Sequence, residues 1–117
     1  MFRHRSTTAS GQPFDETTIA AVWEKAQDSH QHHPLRVDAF GVLIWREGYA
    51  NTSSKFGWEI DHIRPVADGG GDELENLQPL QWENNRGKGD TEDGEAPAIL
   101  CNSLVHPGIY RQNFCRG

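Results

Sequence analysis

Four polar residues near the middle of the chain have the types and the spacing to hydrolyse a phosphodiester. Asp61 and His62 are adjacent in the sequence. Asn76 follows His62 by 14 residues, and Asn85 follows Asn76 by a further nine. Carboxylate and amide oxygens bind hard divalent cations, and an imidazole, which titrates near neutral pH, can take a proton from water. This combination predicts metal-assisted hydrolysis with a histidine as general base.

Each of these residues has an expected role. Asp61 and Asn85 are the candidate ligands of one divalent ion, Mg²⁺ or Mn²⁺, because both ions prefer oxygen ligands. His62 is the candidate base. Asn76 cannot titrate, so it either fixes its loop or hydrogen-bonds His62 and sets the tautomer of the imidazole. Asn84 competes with Asn85 for the ligand position, since a helix boundary predicted from sequence errs by a few residues.

The segment that carries these residues predicts two antiparallel strands followed by a short helix. Side chains of a strand alternate between its faces, so Asp61 and His62 should point in different directions. The helix should bring Asn85 beside Asp61. The expected elements are a strand at 57–60, a glycine-rich turn at 67–73, a return strand from Leu77 and a helix from about Gln81 to Arg86 or Lys88.

Two further elements are expected before this segment. Asp15 is a suitable N-cap for a helix that runs to about Gln27. Residues 35–56 predict a β-hairpin with a turn at Glu47 and Gly48. The apolar face of the helix would be formed by Ile19, Val22, Trp23 and Ala26.

The stretch from Trp58 to Asp90 resembles the HNH endonuclease family, whose core is the ββα-metal fold. It contains Ile-Asp-His-Ile-x-Pro, Gly-Gly, Asn-Leu-Gln and Asn-x-x-Lys-Gly in the order and at the spacing of the family. The resemblance implies an α+β fold, in which an N-terminal helix and a β-hairpin are added to the ββα-metal core. It also implies a metal-dependent endonuclease that cuts DNA by a one-metal mechanism and leaves 5′-phosphate and 3′-hydroxyl ends.

The resemblance assigns further roles. It makes His62 the general base and Asn76 the middle residue of the motif, while Asp61 and Asn85 bind the metal. Arg86 and Lys88 would lie near the substrate backbone. From its position alone, Arg64 is either a phosphate contact or a surface charge at the end of a strand.

The chain departs from many members of the family, because the zinc-binding Cys-x-x-Cys pairs are missing. Gln81 and Asn84 stand where one such pair would be. Structural zinc is therefore not expected, and the chain is similar to small stand-alone bacterial or phage members without these cysteines. Packing must brace the core instead, and Trp58 and Trp82 are the candidates, although Trp82 could also stack on a base.

Composition limits the remaining possibilities. The chain has 117 residues and a net charge of -6, which disfavours tight non-specific binding to DNA. Its expected parts are a flexible arm at 1–13, the nuclease domain at 14–90 and a tail at 91–117 with little periodicity.

No apolar stretch could span a membrane or follow the first basic residues as a secretory signal, so we expect a cytoplasmic protein. Cys101 and Cys115 are then expected as thiols, since a disulfide needs an oxidising compartment.

The sequence leaves other functions open. A non-catalytic nucleic-acid-binding module on the same fold would bind DNA without cutting it. A nuclease that acts on RNA, or a toxin paired with an immunity protein, would keep the chemistry and change the substrate or partner. A homodimer would be the simplest route to a double-strand cut, but no dimer surface can be identified from the sequence.

Overall fold

The computed structural model describes residues 5–88 of the chain. The expectations for residues 91–117, including Cys101 and Cys115, lie outside the described residues. Within them the three short 3₁₀ turns are Arg46–Gly48, Val66–Asp68 and Leu74–Asn76. The helices are α1 (Glu16–Trp23) and α2 (Trp82–Lys88), and the strands are β1 (Gln27–Asp28), β2 (Arg36–Val37), β3 (Leu43–Ile44), β4 (Trp58–His62) and β5 (Leu77–Gln81).

A two-stranded antiparallel sheet and the helix after it form the centre of the structure. β4 pairs with β5 in a continuous register that runs from Trp58 opposite Gln81 to His62 opposite Leu77. All five residues of β4 are buried, because the strand is covered on both faces. α2 begins at Trp82, the residue that follows β5. The helices and small sheets together confirm the expected α+β class.

Gln81 joins β5 to α2, and its side chain caps the N-terminus of the helix. Its Oε1 accepts hydrogen bonds from the backbone N–H groups of Glu83 at 2.8 Å and Asn84 at 3.1 Å. These groups have no carbonyl partner inside a helix, so a side-chain acceptor stabilises the first turn. Gln81 is fully buried, and its Nε2 donates to the backbone oxygen of Lys55 at 3.1 Å. Gln81, which the resemblance places where a zinc-binding cysteine would be, is therefore used here as a helix cap.

The main hydrophobic core lies between α1 and the face of β4 that carries Trp58 and Ile60. Trp58 is fully buried, and its ring lies 5.4 Å from the ring of Trp23 and 5.0 Å from that of Tyr49. Its indole nitrogen donates to the backbone oxygen of Arg46 at 3.2 Å. Large buried rings whose polar atom is satisfied stabilise a small core strongly.

α1 begins where the sequence predicts and ends earlier. The side chain of Asp15 accepts a hydrogen bond from the backbone N–H of Thr18 at 2.7 Å, as an N-cap does. The helix stops at Trp23, whereas the apolar spacing predicted that it would reach about Gln27. Gln27 instead pairs with Val37 in a small antiparallel sheet of order β1-β2-β3. Residues 24–26 form a turn, and strand pairing takes Gln27 from the predicted helix.

The turn of the β2–β3 hairpin also differs from the expectation. It lies at residues 38–42, and Glu47 and Gly48 belong to a 3₁₀ turn. Asp38 explains the shift, because its Oδ1 accepts the backbone N–H groups of Phe40 at 2.9 Å and Val42 at 2.8 Å. Gly41 takes a φ of 88°, which side chains disfavour.

The described part of the expected arm, residues 5–13, lies against the ββα unit. Ser6 Oγ accepts the backbone N–H of Ile60 at 2.9 Å, and Ala9 donates its N–H to the carboxylate of Asp72 at 3.0 Å. Thr7 and Pro13 form an isolated antiparallel bridge.

None of the helices among the described residues has the length and apolar character to cross a membrane.

Candidate active site

β4 presents alternate side chains to two different neighbours. Glu59 and Asp61 contact residues of α2. His62 lies on the opposite face, where its ring centroid is 6.0 Å from that of Phe14 in the main core. Adjacent residues of a strand point to opposite sides, and this places the candidate metal ligand and the candidate base in separate surroundings.

The carboxylate of Asp61 is 6% exposed and is held by two side chains. Gln78, which lies opposite Asp61 in the strand register, donates from Nε2 to Oδ2 at 2.9 Å. Lys88 Nζ lies 3.3 Å from the same oxygen. Burial raises the pKa of Asp61, while the hydrogen bond from Gln78 and the positive charge of Lys88 act in the opposite direction.

The ammonium group of Lys88 lies among oxygen atoms. Besides Asp61, its Nζ contacts the backbone oxygen of His62 at 3.2 Å and that of Ile63 at 3.5 Å. Lys88 is only 3% exposed, so this corner of the protein accommodates a buried positive charge. The sequence predicts Lys88 as a contact to the substrate backbone, and in the structure its ammonium group lies beside the candidate metal ligand.

His62 is buried and hydrogen-bonded to a carboxylate. Its Nε2 lies 2.8 Å from Oδ1 of Asp72, a residue of the glycine-rich turn between β4 and β5. Asp72 is fixed in turn by the backbone N–H of Ala9, which donates to both of its carboxylate oxygens, at 3.0 Å and 3.2 Å. Nε2 is therefore the ring nitrogen that faces this carboxylate, and Nδ1 is the other.

Asn76 holds the loop between the two strands. Its Oδ1 accepts the backbone N–H of Arg64 at 2.8 Å, and its Nδ2 donates to the backbone oxygens of Arg64 at 3.2 Å and Gly71 at 2.8 Å. Gly70 allows this close approach, since a Cβ there would lie 1.8 Å from the Arg64 oxygen. Of the two uses expected for Asn76, these contacts are those of a loop brace.

Asn85 is buried on α2 and contacts β4. Its Nδ2 donates to Oε1 of Glu59 at 2.8 Å. The structure thus connects Asn85 to the strand that carries Asp61, through a neighbouring carboxylate. Asn84, the competing candidate, is also fully buried but lies beside Asp38, whose pKa is raised to about 6 by burial.

The two candidate arginines are more accessible than Lys88. Arg64 is exposed, and its Nε donates to the backbone oxygen of Asp68 at 2.9 Å. The side chain of Arg86 is 48% exposed, and its guanidinium lies 5.3 Å from the centre of the Trp82 ring. Both can therefore meet a ligand from solvent.

Three residues in contact with the site were not singled out from the sequence. Strand alternation could have indicated Glu59, which is two residues before Asp61, and strand register could have indicated Gln78. Asp72 had no such signal, because the path of the loop alone brings it to His62.

On the α2 side of β4, the predicted oxygen ligands of a cation are the carboxylate of Asp61 and the amide oxygen of Asn85, and the carboxylate of Glu59 lies on the same face. The described residues contain no group of three or more His, Cys, Asp or Glu side chains that could hold a metal ion. The surroundings fit a hard cation nevertheless, because Lys88 already places a positive charge among carboxylate and carbonyl oxygens.

Residues 52–91 match the family model described as HNH endonuclease. No curated protein and no solved structure matches the chain. The matched stretch contains β4, β5 and α2 and therefore includes all four residues whose spacing predicted hydrolysis. The resemblance found in the sequence is confirmed. Residues 52–91 are thus similar to the HNH endonucleases.

Proposed function

We propose that this protein is a metal-dependent endonuclease that hydrolyses DNA phosphodiester bonds, with one divalent ion and His62 as general base. HNH nucleases act on nucleic acids, and the family generally uses a divalent metal. One observation carries the proposal. At the end of β4, Asp61 lies beside a buried cationic group while its neighbour His62 is hydrogen-bonded to a carboxylate.

The contact with Asp72 supports the role of His62. A carboxylate only accepts hydrogen bonds, so it favours the tautomer with the proton on Nε2 and a lone pair on Nδ1. It also stabilises the imidazolium that forms after proton transfer. In the proposed step, the oxygen of water bonds to phosphorus and its proton passes to Nδ1. The bond from phosphorus to O3′ breaks, and O3′ takes a proton from solvent.

The proposed ligands of the ion are Asp61 and the amide oxygen of Asn85, with Mg²⁺ or Mn²⁺ favoured by the oxygen donors. When bound, the ion would supply positive charge to the phosphate and to the leaving O3′. Lys88 would then release the carboxylate of Asp61, because two cations repel each other at one carboxylate. Its ammonium would become available to the substrate backbone.

Arg64 and Arg86 are the proposed contacts to the backbone of DNA. Both are accessible, and guanidinium groups match the geometry of phosphate oxygens. Asn76 fixes the backbone at Arg64, because its side chain hydrogen-bonds both the N–H and the backbone oxygen of that residue. Since the net charge of the chain is -6, binding should depend on this local positive charge and weaken as salt rises.

Cleavage of a supercoiled plasmid tests the proposal. The wild-type protein should nick or cut the plasmid with Mg²⁺ or Mn²⁺ and should be inactive in EDTA. His62→Ala should lower the rate by at least about 100-fold, the scale expected for a general base. His30→Ala is the matched control, because the side chain of His30 is 89% exposed in a loop. It should cleave at the wild-type rate.

Several results would contradict the proposal. Cleavage that persists in EDTA would exclude the metal, and a loss of only a few-fold in His62→Ala would identify another base. DNA binding that survives chelation, without any cleavage by folded protein, would favour the non-catalytic module. Cleavage of RNA with no cleavage of plasmid or branched DNA would change the substrate.

A further inference from the structure

Glu59 is a buried carboxylate that the proposed reaction does not use. It is 4% exposed and lies on the same face of β4 as Asp61, two residues earlier in the strand. Its Oε1 accepts a hydrogen bond from Nδ2 of Asn85 at 2.8 Å. Its Oε2 lies 3.6 Å from the guanidinium of Arg86. A charged group at this depth needs such partners, so its two oxygens are held in defined directions.

The contact with Asn85 determines which end of the amide is available. An asparagine amide is nearly symmetric in shape, and rotation about its last torsion exchanges oxygen and nitrogen. Glu59 can only accept a hydrogen bond, so the nitrogen of Asn85 must face it. The oxygen therefore points away from Glu59, and only an oxygen can bind Mg²⁺ or Mn²⁺.

We propose that Glu59 is a positioning residue that fixes the amide of Asn85 so that its oxygen is presented to the divalent ion. This inference rests on the proposed function, in which Asn85 is a metal ligand. Glu59 acts through Asn85 and does not bind the ion itself. The amide would otherwise turn its nitrogen toward the cation for part of the time and weaken binding.

Glu59→Gln separates this role from simple packing. Glutamine has the size of glutamate and can still hydrogen-bond Asn85, so a purely structural contact would be kept. It can, however, donate as well as accept, and it therefore no longer selects one orientation of the amide. We expect its affinity for Mn²⁺, measured by calorimetry on the full chain without substrate, to fall about tenfold, as for other residues that orient a metal ligand.

A double-mutant cycle tests whether the effect passes through Asn85. In an Asn85→Ala background the amide is gone, so Glu59→Gln should change the Mn²⁺ affinity by no more than about twofold. An equal loss in both backgrounds would overturn the inference, because Glu59 would then act by its charge or as a ligand. Wild-type affinity in Glu59→Gln would overturn it as well. Glu47→Gln, an exposed glutamate, is the control for removal of one negative charge and should bind as wild type.

Two further measurements keep the inference testable. Thermal unfolding of each variant shows whether it is folded. If Glu59→Gln does not fold, Glu59→Asp is used in its place. Aspartate keeps the negative charge, but its shorter side chain moves the carboxylate away from Nδ2 of Asn85. Positioning predicts weaker binding in Glu59→Asp, and a charge effect predicts no change. Absence of Mn²⁺ binding by the wild-type protein would contradict the proposed function, whereas binding that is insensitive to Glu59 would contradict this inference alone.

Discussion

Two buried aspartates, Asp38 and Asp61, differ in the groups that hold their carboxylates. Both are nearly inaccessible, at 5% and 6% exposure, and burial raises the pKa of each. Asp38 accepts three backbone N–H groups, those of Phe40, Val42 and Gln81, at 2.8–2.9 Å. Asp61 is held by side chains, Gln78 and Lys88.

The two carboxylates differ in whether their hydrogen-bond donors can be replaced. Backbone donors are fixed by the chain, so the three donors of Asp38 tie the turn of the β2–β3 hairpin to the end of β5. Side-chain donors can rotate away, so Asp61 can give up Lys88 for another cation. We infer that backbone-bound Asp38 serves the fold and that side-chain-bound Asp61 serves the reaction.

The largest expected effect separates the two residues by activity. Asp61→Asn should lower the rate of plasmid cleavage by at least about 100-fold, because it removes the only carboxylate among the proposed ligands of the ion. Asp38→Asn is the matched control and should cleave within a few-fold of wild type once the rate is normalised to folded protein. Equal losses in the two variants would break the comparison.

The next largest effect is a pH dependence of the free energy of unfolding that Asp38 should cause. Burial raises its pKa from 3.8 to about 6, against the hydrogen bonds from backbone N–H groups. Between these values the native state binds a proton that the unfolded state has released. The free energy of unfolding should therefore fall as pH rises from about 4 to about 6, by up to about 3 kcal/mol.

Denaturant unfolding of wild type and Asp38→Asn across this range measures that contribution. The stability of the wild type relative to Asp38→Asn should decrease as pH rises through the window. Asp61 also has a raised pKa, but it is present in both proteins and cancels in the difference. Parallel stability curves would show that Asp38 does not titrate there.

The smallest effects come from two glutamines of β5, one beside each aspartate. Gln81→Ala removes the acceptor for two N–H groups of α2 and should destabilise the fold by about 2 kcal/mol. Gln78→Ala removes one hydrogen bond to Asp61 and should cost less stability, yet weaken Mn²⁺ binding about tenfold. Thermal unfolding and metal titration of both variants test this, and the reverse pattern would contradict the division between fold and reaction.

The sequence predicted the ββα region well because its signals are local. Gly70 and its neighbours mark the turn, Leu77 begins the return strand as expected, and α2 starts at Trp82, next to the predicted start at about Gln81. The resemblance to the HNH endonucleases was identified from the same residues, and the match of residues 52–91 confirms it. A short, strongly patterned hairpin followed at once by a helix leaves few other arrangements.

The remaining features depend on contacts between distant residues. Helical spacing could not show that Gln27 would pair with Val37, so α1 was expected to be too long. The sequence did not show that Asp38 would also accept the backbone N–H of Gln81, 43 residues away. In the site, the partners Asp72 and Glu59 were missed because His62 and Asn85 contact them only after the chain has folded.

The direct junction between β5 and α2 has a consequence for how this domain tolerates change. Gln81 ends the strand and Trp82 starts the helix, so the pairing of the strands also sets the rotation of the helix. One inserted residue at this junction would turn Asn85 and Lys88 by about 100° around the helix axis and away from β4. Insertions and deletions at this point should therefore be selected against even where the helix itself would still form.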